Sequence, residues 1–397
     1  MTTTINNEQK KLNVPNLRFP EFQGEWKKCK LEELSNKITR KNKGNAIQNV
    51  LSNSATLGLI PQNEYFDREI ANSNNTDSYY VIEYGDFVYN PRKSVSAPYG
   101  PVNIYTGNIK GIISPLYLCF SVHSILPSFL YYRFKSPAWF PYVYSHGDMG
   151  TRFDRVSIKD DVFFGMPIYM PSQKEQKKIS HLMSLLDKRI ATQNKIIEDL
   201  KKLKCAIIEK LYYKIQGKEY LYRQLFDVVN ERNKQMEYSN ILSASQEKGM
   251  VNRDDLNLDI QFERNNINTY KIVREGDYVI HLRSFQGGFA FSDKLGVCSP
   301  AYTILRPNSL LEYGYMSFYF TSQRFIKSLI IVTYGIRDGR SINVEEWLNM
   351  KIVVPSKEYQ LHTLNVLKSI DDKIVNEEMY ATCLSNQKQY LLHNMFI

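Results

Sequence analysis

The sequence predicts a mixed α/β (α+β) chain: two pseudo-symmetric globular units separated by two long helices that pair as an antiparallel coiled coil. Three observations predict it. The junction "PSQKEQKKI" at Pro171 returns as "PSKEYQLHT" at Pro355, each time after an apolar run, "MPIYM" or "MKIVV". Between them the chain repeats itself in order, the signature of a duplicated unit. Each junction also opens a stretch with helical apolar spacing.

The repeats run through the first 350 residues. "EWKKCKLEEL" from Glu25 faces "EYLYRQLFDV" from Glu219, which sets Trp26 against Tyr220 and Leu31 against Leu225. "VLSNSATLGLI" from Val50 faces "ILSASQEKGMV" from Ile241, and "YVIEYGDFVYNPRKS" from Tyr80 faces "YKIVREGDYVIHLRS" from Tyr270. "GIISPLY" at Gly111 matches "GVCSPAY" at Gly296, and "GTRFDRVSI" at Gly150 matches "GIRDGRSI" at Gly335. Offsets drift from 194 through 191 and 185 to 184, as loops that gain or lose residues require.

Within each globular unit, "DFVYN" and "DYVIHL" read as strands, each introduced by a Gly-Asp turn. "NSNNTDS" (72–78) and "ERNNINT" (263–269) read as polar loops. From Ser172 to Gln216 there is neither Pro nor Gly. Ser172 and Glu175 form a capping box, and Gly217 stands where a C-terminal cap belongs. The apolar seam is Leu182, Leu186, Ile190, Ile197, Leu200, Ile207 and Leu211 in the first helix. In the second it is Leu364, Leu367, Ile370, Ile374, Leu384, Leu391 and Met395. Helices of that length would span on the order of 60 Å and need a partner for the seam, which the other copy supplies. The expected division is 1–171 for the first unit, 172–216 for its helix, 217–354 for the second unit and 355–397 for its helix. The simplest closure of such a chain is a dumbbell.

Composition narrows the function. A formal charge of +10 and a pI near 9.1 favour a polyanionic partner. Five scattered cysteines without C-x-x-C leave no metal or disulfide framework expected. No apolar run reaches 18 residues and the start "MTTTINNEQKK" has no apolar signal core, so a soluble, cytoplasmic chain is expected. There is no [N/D]-P-P-[Y/F] methylation loop and no G-x-x-x-x-G-K-[S/T] phosphate cradle, so no catalytic residue is assigned.

The element order, "NLRFPEF…W" at the start and the paired P-S-x-x-x-Q helices resemble the specificity subunit of type I DNA restriction–modification systems, over nearly the whole chain. The resemblance implies two target-recognition domains, each reading one half of a split DNA sequence. It implies helices that set the spacing and dock two methyltransferase subunits, with restriction–translocase subunits joining that core. It also implies no chemistry in this chain, with S-adenosylmethionine, ATP and magnesium confined to partner subunits, double-stranded DNA as ligand and no membrane.

DNA recognition needs cations for phosphates and planar polar groups for base edges. The matched loops that offer both carry Arg152 and Arg155 in one half, Arg337 and Arg340 in the other. Their alternative is pairing with Asp154 and Asp338 on a solvated loop. Beyond the repeated strand stand Arg92, Lys93 and Ser94, then Arg283, Ser284 and Gln286. The "LSxSxxxG" segments offer Ser52, Asn53 and Ser54, then Ser243, Ser245, Gln246 and Lys248, with an ordinary hydrogen-bonded turn as the alternative. Lys41 and Lys43 complete the set as phosphate clamps. The first helix carries eleven basic residues against five acidic ones, either a solvated face or a surface along spacer DNA. Two other readings of the chain stay open: a non-enzymatic scaffold that binds proteins through its coiled coil, and a standalone DNA enzyme.

Overall fold

In the computed structural model the described residues are 12–62, 76–148, 154–245, 248–255, 264–281, 288–334 and 341–397. They form two compact units, one of residues 1–192 with 380–397, the other of 193–379. The division thus falls inside both long helices, not at their ends: each unit owns half of each helix.

In each unit the centre is a four-stranded antiparallel sheet with the same strand order. In the first it runs Ser35–Lys37, Leu118–Val122, Phe87–Tyr89, Val102–Ile104. In the second it runs Phe226–Val229, Thr303–Pro307, Tyr278–Ile280, Phe289–Phe291. Alternation along the strands divides the side chains between two cores, as a period of two requires. Phe87, Tyr89 and Phe120 join Phe129, Phe134, Trp139 and Phe163 in the large core, while Val88 and Cys119 join Leu51, Ile82 and Ile113 in the small one. The second unit repeats the division, with Tyr278, Ile280 and Leu305 on one side, Val279 and Ile304 on the other.

Matched turns explain why the repeats survive. Gly85 and Gly276 take φ of 91° and 92°, which glycine alone adopts freely. The aspartate after each closes the turn: Asp86 Oδ2 accepts from Glu83 N at 2.7 Å, and Asp277 Oδ2 from Arg274 N at 2.9 Å. Tyr80 therefore corresponds to Lys271, one residue beyond the Tyr270 expected from the sequence. The first repeat needs a larger correction. Lys27 pairs with Met170 and Lys218 with Val354, while Leu31 N and Tyr222 N bond Met166 O and Met350 O. Leu31 is thus equivalent to Tyr222, and Leu34, not Leu31, to Leu225. The apolar letters of the two segments overlap equally well three residues out of register, and only strand pairing distinguishes the frames.

The long helices run Gln173–Tyr213 and Lys357–Asn394, a few residues inside the expected limits. In each the P-S-x-x-x-Q glutamine is buried and braces the first turn. Gln176 Nε2 donates to Pro171 O and Gln176 Oε1 accepts from Leu126 N, both at 2.9 Å. Gln360 donates to Pro355 O at 3.1 Å and accepts from Glu312 N at 2.8 Å. Only half of the expected capping box forms. The Ser172 hydroxyl accepts from Glu175 N at 3.3 Å, but the Glu175 carboxylate, 1% exposed, is held by Arg18 at 2.7 and 2.8 Å and by Trp26 Nε1 at 3.3 Å. A charged fork outcompetes a local backbone N–H for a buried carboxylate. This accounts for the "NLRFPEF…W" start: it anchors the first helix.

Within each unit the two helix halves lie antiparallel. In the first, Asp187 pairs with Lys388 and Arg189 with Tyr380. In the second, Gln193 bonds Glu377, Lys204 pairs with Asp371 at 2.5 Å and Tyr359 reaches Leu211 O at 3.3 Å. Leu186, Ile197, Leu364, Leu367, Ile374, Leu384 and Met395 are buried, and Leu182, Ile190, Leu200, Ile207, Leu211, Ile370 and Leu391 half-buried, so no seam residue faces solvent fully. Several of them pack on the sheet-bearing core rather than only on the other helix. The stretch at 263–269, expected as a loop, is wound into a 3₁₀ turn at Arg264–Thr269. No described helix is long and apolar enough to cross a membrane.

Candidate nucleic-acid interface

The first basic loop follows the opening strand of each sheet. Lys41 and Lys43 are exposed on either side of Asn42, which is 2% exposed and folds the loop back on itself. Its amide nitrogen donates to Ile47 O and its amide oxygen accepts from Ile47 N, both at 2.9 Å. Gly44, at φ 71°, lets the chain turn and donates its N–H to Asp77 at 2.6 Å. A side chain that satisfies the loop's backbone from inside frees the flanking lysines to point outward.

Sequence reading missed the counterpart. Asn233 is also 2% exposed and bonds Tyr238 O at 2.7 Å and Tyr238 N at 3.2 Å, and Arg232 and Lys234 flank it, both exposed. Lys41 and Arg232 even make matching bridges, to Tyr80 and Lys271. The signal was present as "KNK" against "RNK" at offset 191, but two identical letters in three carry no weight without the turn that binds them.

The structure brings two of the expected sets together in the first unit. Arg92 bridges Arg155 across antiparallel backbone, with Val156 N bonded to Pro91 O at 2.9 Å and Lys93 N to Asp154 O at 2.8 Å. Arg92 is exposed and Lys93 half-buried. Ser94 is exposed, but its hydroxyl accepts from Ala97 N at 3.1 Å and caps its own turn. Arg155 lies 3.5 Å from Asp154 with both side chains about half exposed, a pair of little energetic weight. Its Nε is buried without a partner, on the wall of a cavity of about 470 Å³ with Lys37, Tyr80, Tyr117 and Asp160.

The "LSNS" segment is a correction. Ser52, Asn53 and Ser54 are 8%, 6% and 3% exposed, on the strand Leu51–Ser54. Asn53 donates to Val88 O at 2.9 Å and accepts from Asn103 at 2.6 Å, and Ser54 Oγ accepts from Leu57 N at 3.2 Å. Groups so engaged cannot read a base. Asn53 reads as a loop residue because its partners lie 35 and 50 residues away in sequence. The second unit's Ser243 and Ser245 are half-buried, and Ser245 Oγ accepts from Lys248 N at 3.3 Å. Lys248 itself is exposed, next to Gly249. Arg152, Gln246, Arg283, Ser284, Gln286, Arg337 and Arg340 lie outside the described residues.

No family model matches the sequence, and no curated protein matches it. Solved structures do. A chain from structures of complex assembly and conformational transition of the type I R-M system superposes with a TM-score of 0.60 at 13% identity, covering 92% of this chain and 96% of that one. The HsdS subunit from Thermoanaerobacter tengcongensis gives 0.50 at 15%, covering 94% and 96%. The type I restriction-modification S subunit from M. genitalium gives 0.52 at 12%, covering 97% and 99%. This chain has the type I S-subunit fold. The likeness spans both sheet-bearing units and both long helices, so the expected fold holds along the chain. The basic pairs around Asn42 and Asn233 are thus set on equivalent turns of a two-unit S-subunit fold.

Proposed function

We propose that the chain is the DNA-recognition subunit of a type I restriction–modification complex. Each unit reads one half of a bipartite target, and the helices set the gap and dock the methyltransferase subunits. The chain itself performs no chemistry; S-adenosylmethionine, ATP and magnesium belong to its partners. The observation that carries this reading is the S-subunit fold over the whole chain, combined with exposed cations on the same turn of both units. Lys41 and Lys43, Arg232 and Lys234 are placed to hold phosphates, the contacts that position a protein on duplex DNA without reading it. Arg92 and Arg155, together on one bridge, are the candidates for base edges in the first unit.

The test is to map methylated adenines in a host carrying this chain and its methyltransferase partners. A split motif with a fixed gap is expected, and replacing residues 217–354 with the equivalent segment of a relative should change one half-site only. Unsplit or random methylation would overturn the reading. The scaffold alternative predicts no retardation of duplex DNA by the chain with its methyltransferase subunits.

A further inference from the structure

Arg133 belongs to the helix Pro127–Lys135, whose inward residues Phe129, Leu130 and Phe134 enter the large core of the first unit. The arginine is as buried as they are, 1% exposed, and its Nε and Nη1 meet no acceptor. Burial lowers its pKa to about 10, so it stays protonated near neutral pH. A full positive charge with unanswered N–H donors is among the costliest things an interior can hold, and such a group calls for an explanation.

The explanation lies in what the side chain faces. Arg133 lines a cavity of about 1180 Å³, larger than the roughly 300–1,000 Å³ of ordinary small-molecule sites. Rings form much of the wall: Tyr99, Phe140, Tyr142, Tyr169 and Phe396. Asn13, Asn16, Ser145 and His393 add polar edges, and among the described residues no Asp or Glu side chain lines it. A buried cation, several aromatic faces and no side-chain carboxylate among the described residues suit a ligand that brings its own negative charge on a flat apolar body.

The fold does not demand an arginine here. Ser136 and Ser322 cap matching turns, and Phe134 and Trp139 correspond to Phe320 and Phe325, which sets Tyr319 at the place of Arg133. The Tyr319 hydroxyl bonds that of Tyr222 at 3.2 Å, and its ring lies 5.4 Å from that of Tyr213. Phenols fill the place in the second unit. In sequence register the first unit has Leu31 in place of Tyr222 and Ile397 in place of Tyr213, and Ile397 lies on the cavity wall.

We propose that this cavity binds a small aromatic anion, its carboxylate or phosphate on the Arg133 guanidinium and its ring among the tyrosines and phenylalanines. The test is calorimetric titration of the full chain with adenosine monophosphate as the phosphate arm and N-acetyltyrosine as the carboxylate arm. Each is compared with its neutral counterpart, adenosine or N-acetyltyrosinamide. At least one anion is expected to bind one-to-one and at least tenfold more tightly than its counterpart, and Arg133→Met should weaken it at least tenfold. Anions that bind no better than the neutral compounds overturn the proposal, a comparison that needs no variant. So does an Arg133→Met chain that folds and binds as tightly as the original.

Discussion

The two units share a backbone plan and differ in what they bury. The first places Lys135 deep enough that desolvation lowers its pKa to about 8, with Nζ bonded to Asn103 Oδ1 at 2.6 Å and Asn103 in turn to Asn53. It also buries the Arg18–Glu175 pair. At the matching places the second unit has Thr321, Ala290 and Ala244, and Tyr359 in place of Glu175. Elsewhere it buries phenols, with Tyr212, Tyr222 and Tyr278 all raised in pKa by burial, beside Asp277, which Arg306 holds at 2.9 Å. The lesson is that the plan resides in a few residues that satisfy backbone, such as Asp86 and Asp277 or Gln176 and Gln360. The filling at these places is free to be charged or amide-bearing in one copy and small or aromatic in the other.

The largest expected difference is at the helix starts. Arg18→Ala strands a buried carboxylate, and loss of one partner of such a pair costs about 3–5 kcal/mol. Tyr359→Phe removes a single hydroxyl bond and should cost about 0.5–1.5 kcal/mol. Denaturant unfolding of the two variants measures both, and equal losses would break the contrast.

Next comes pH. Lys135 has a folded pKa below its unfolded value, so between about 8 and 10.4 the unfolded chain holds more protons and stability rises with pH. Below pH 8 both states are protonated and this dependence disappears. Going from pH 7.5 to 9.5 should therefore add about 2 kcal/mol through this group. Lys135→Met should abolish that increment, read as the difference between the two proteins' unfolding at the two pH values.

A smaller effect separates Asn53 from its neighbours in the sequence. Asn53→Ala removes one acceptor of the Asn103 amide and a donor to Val88 O, and should cost about 1–3 kcal/mol while leaving the methylated motif unchanged. A changed motif at full stability would return this strand to the recognition surface. The smallest difference is expected at the basic loops, where the units agree. Lys41→Ala with Lys43→Ala, and Arg232→Ala with Lys234→Ala, should each reduce the salt slope of DNA binding by about two, on any sequence. An effect confined to one pair would mean that only one unit carries phosphate contacts there.

How much was legible follows the range of the interaction. The Gly-Asp turns, the Pro-Ser junctions that open the helices and the apolar spacing act within a few residues, and their letters suffice. The frame of the first repeat depended on strands 143 residues apart, Lys27 with Met170, and was misread by three. Asn53 was misassigned for the same reason: its partners are distant and its letter suits a loop as well as a core. Glu175 looked like a local cap because nothing in the spacing announces that Arg18 reaches it.

The glutamine brace has a consequence for ancestry. On the globular side it engages only main chain: the N–H of Leu126 in one copy, the N–H of Glu312 and the carbonyl of Leu310 in the other. On the helix side it bonds the carbonyl of the proline five residues before. A joint that asks nothing of the side chain it grips accepts a leucine or a glutamate alike. A foreign sheet with the same local backbone, inherited by recombination between the two Pro-Ser junctions, would find its socket already made.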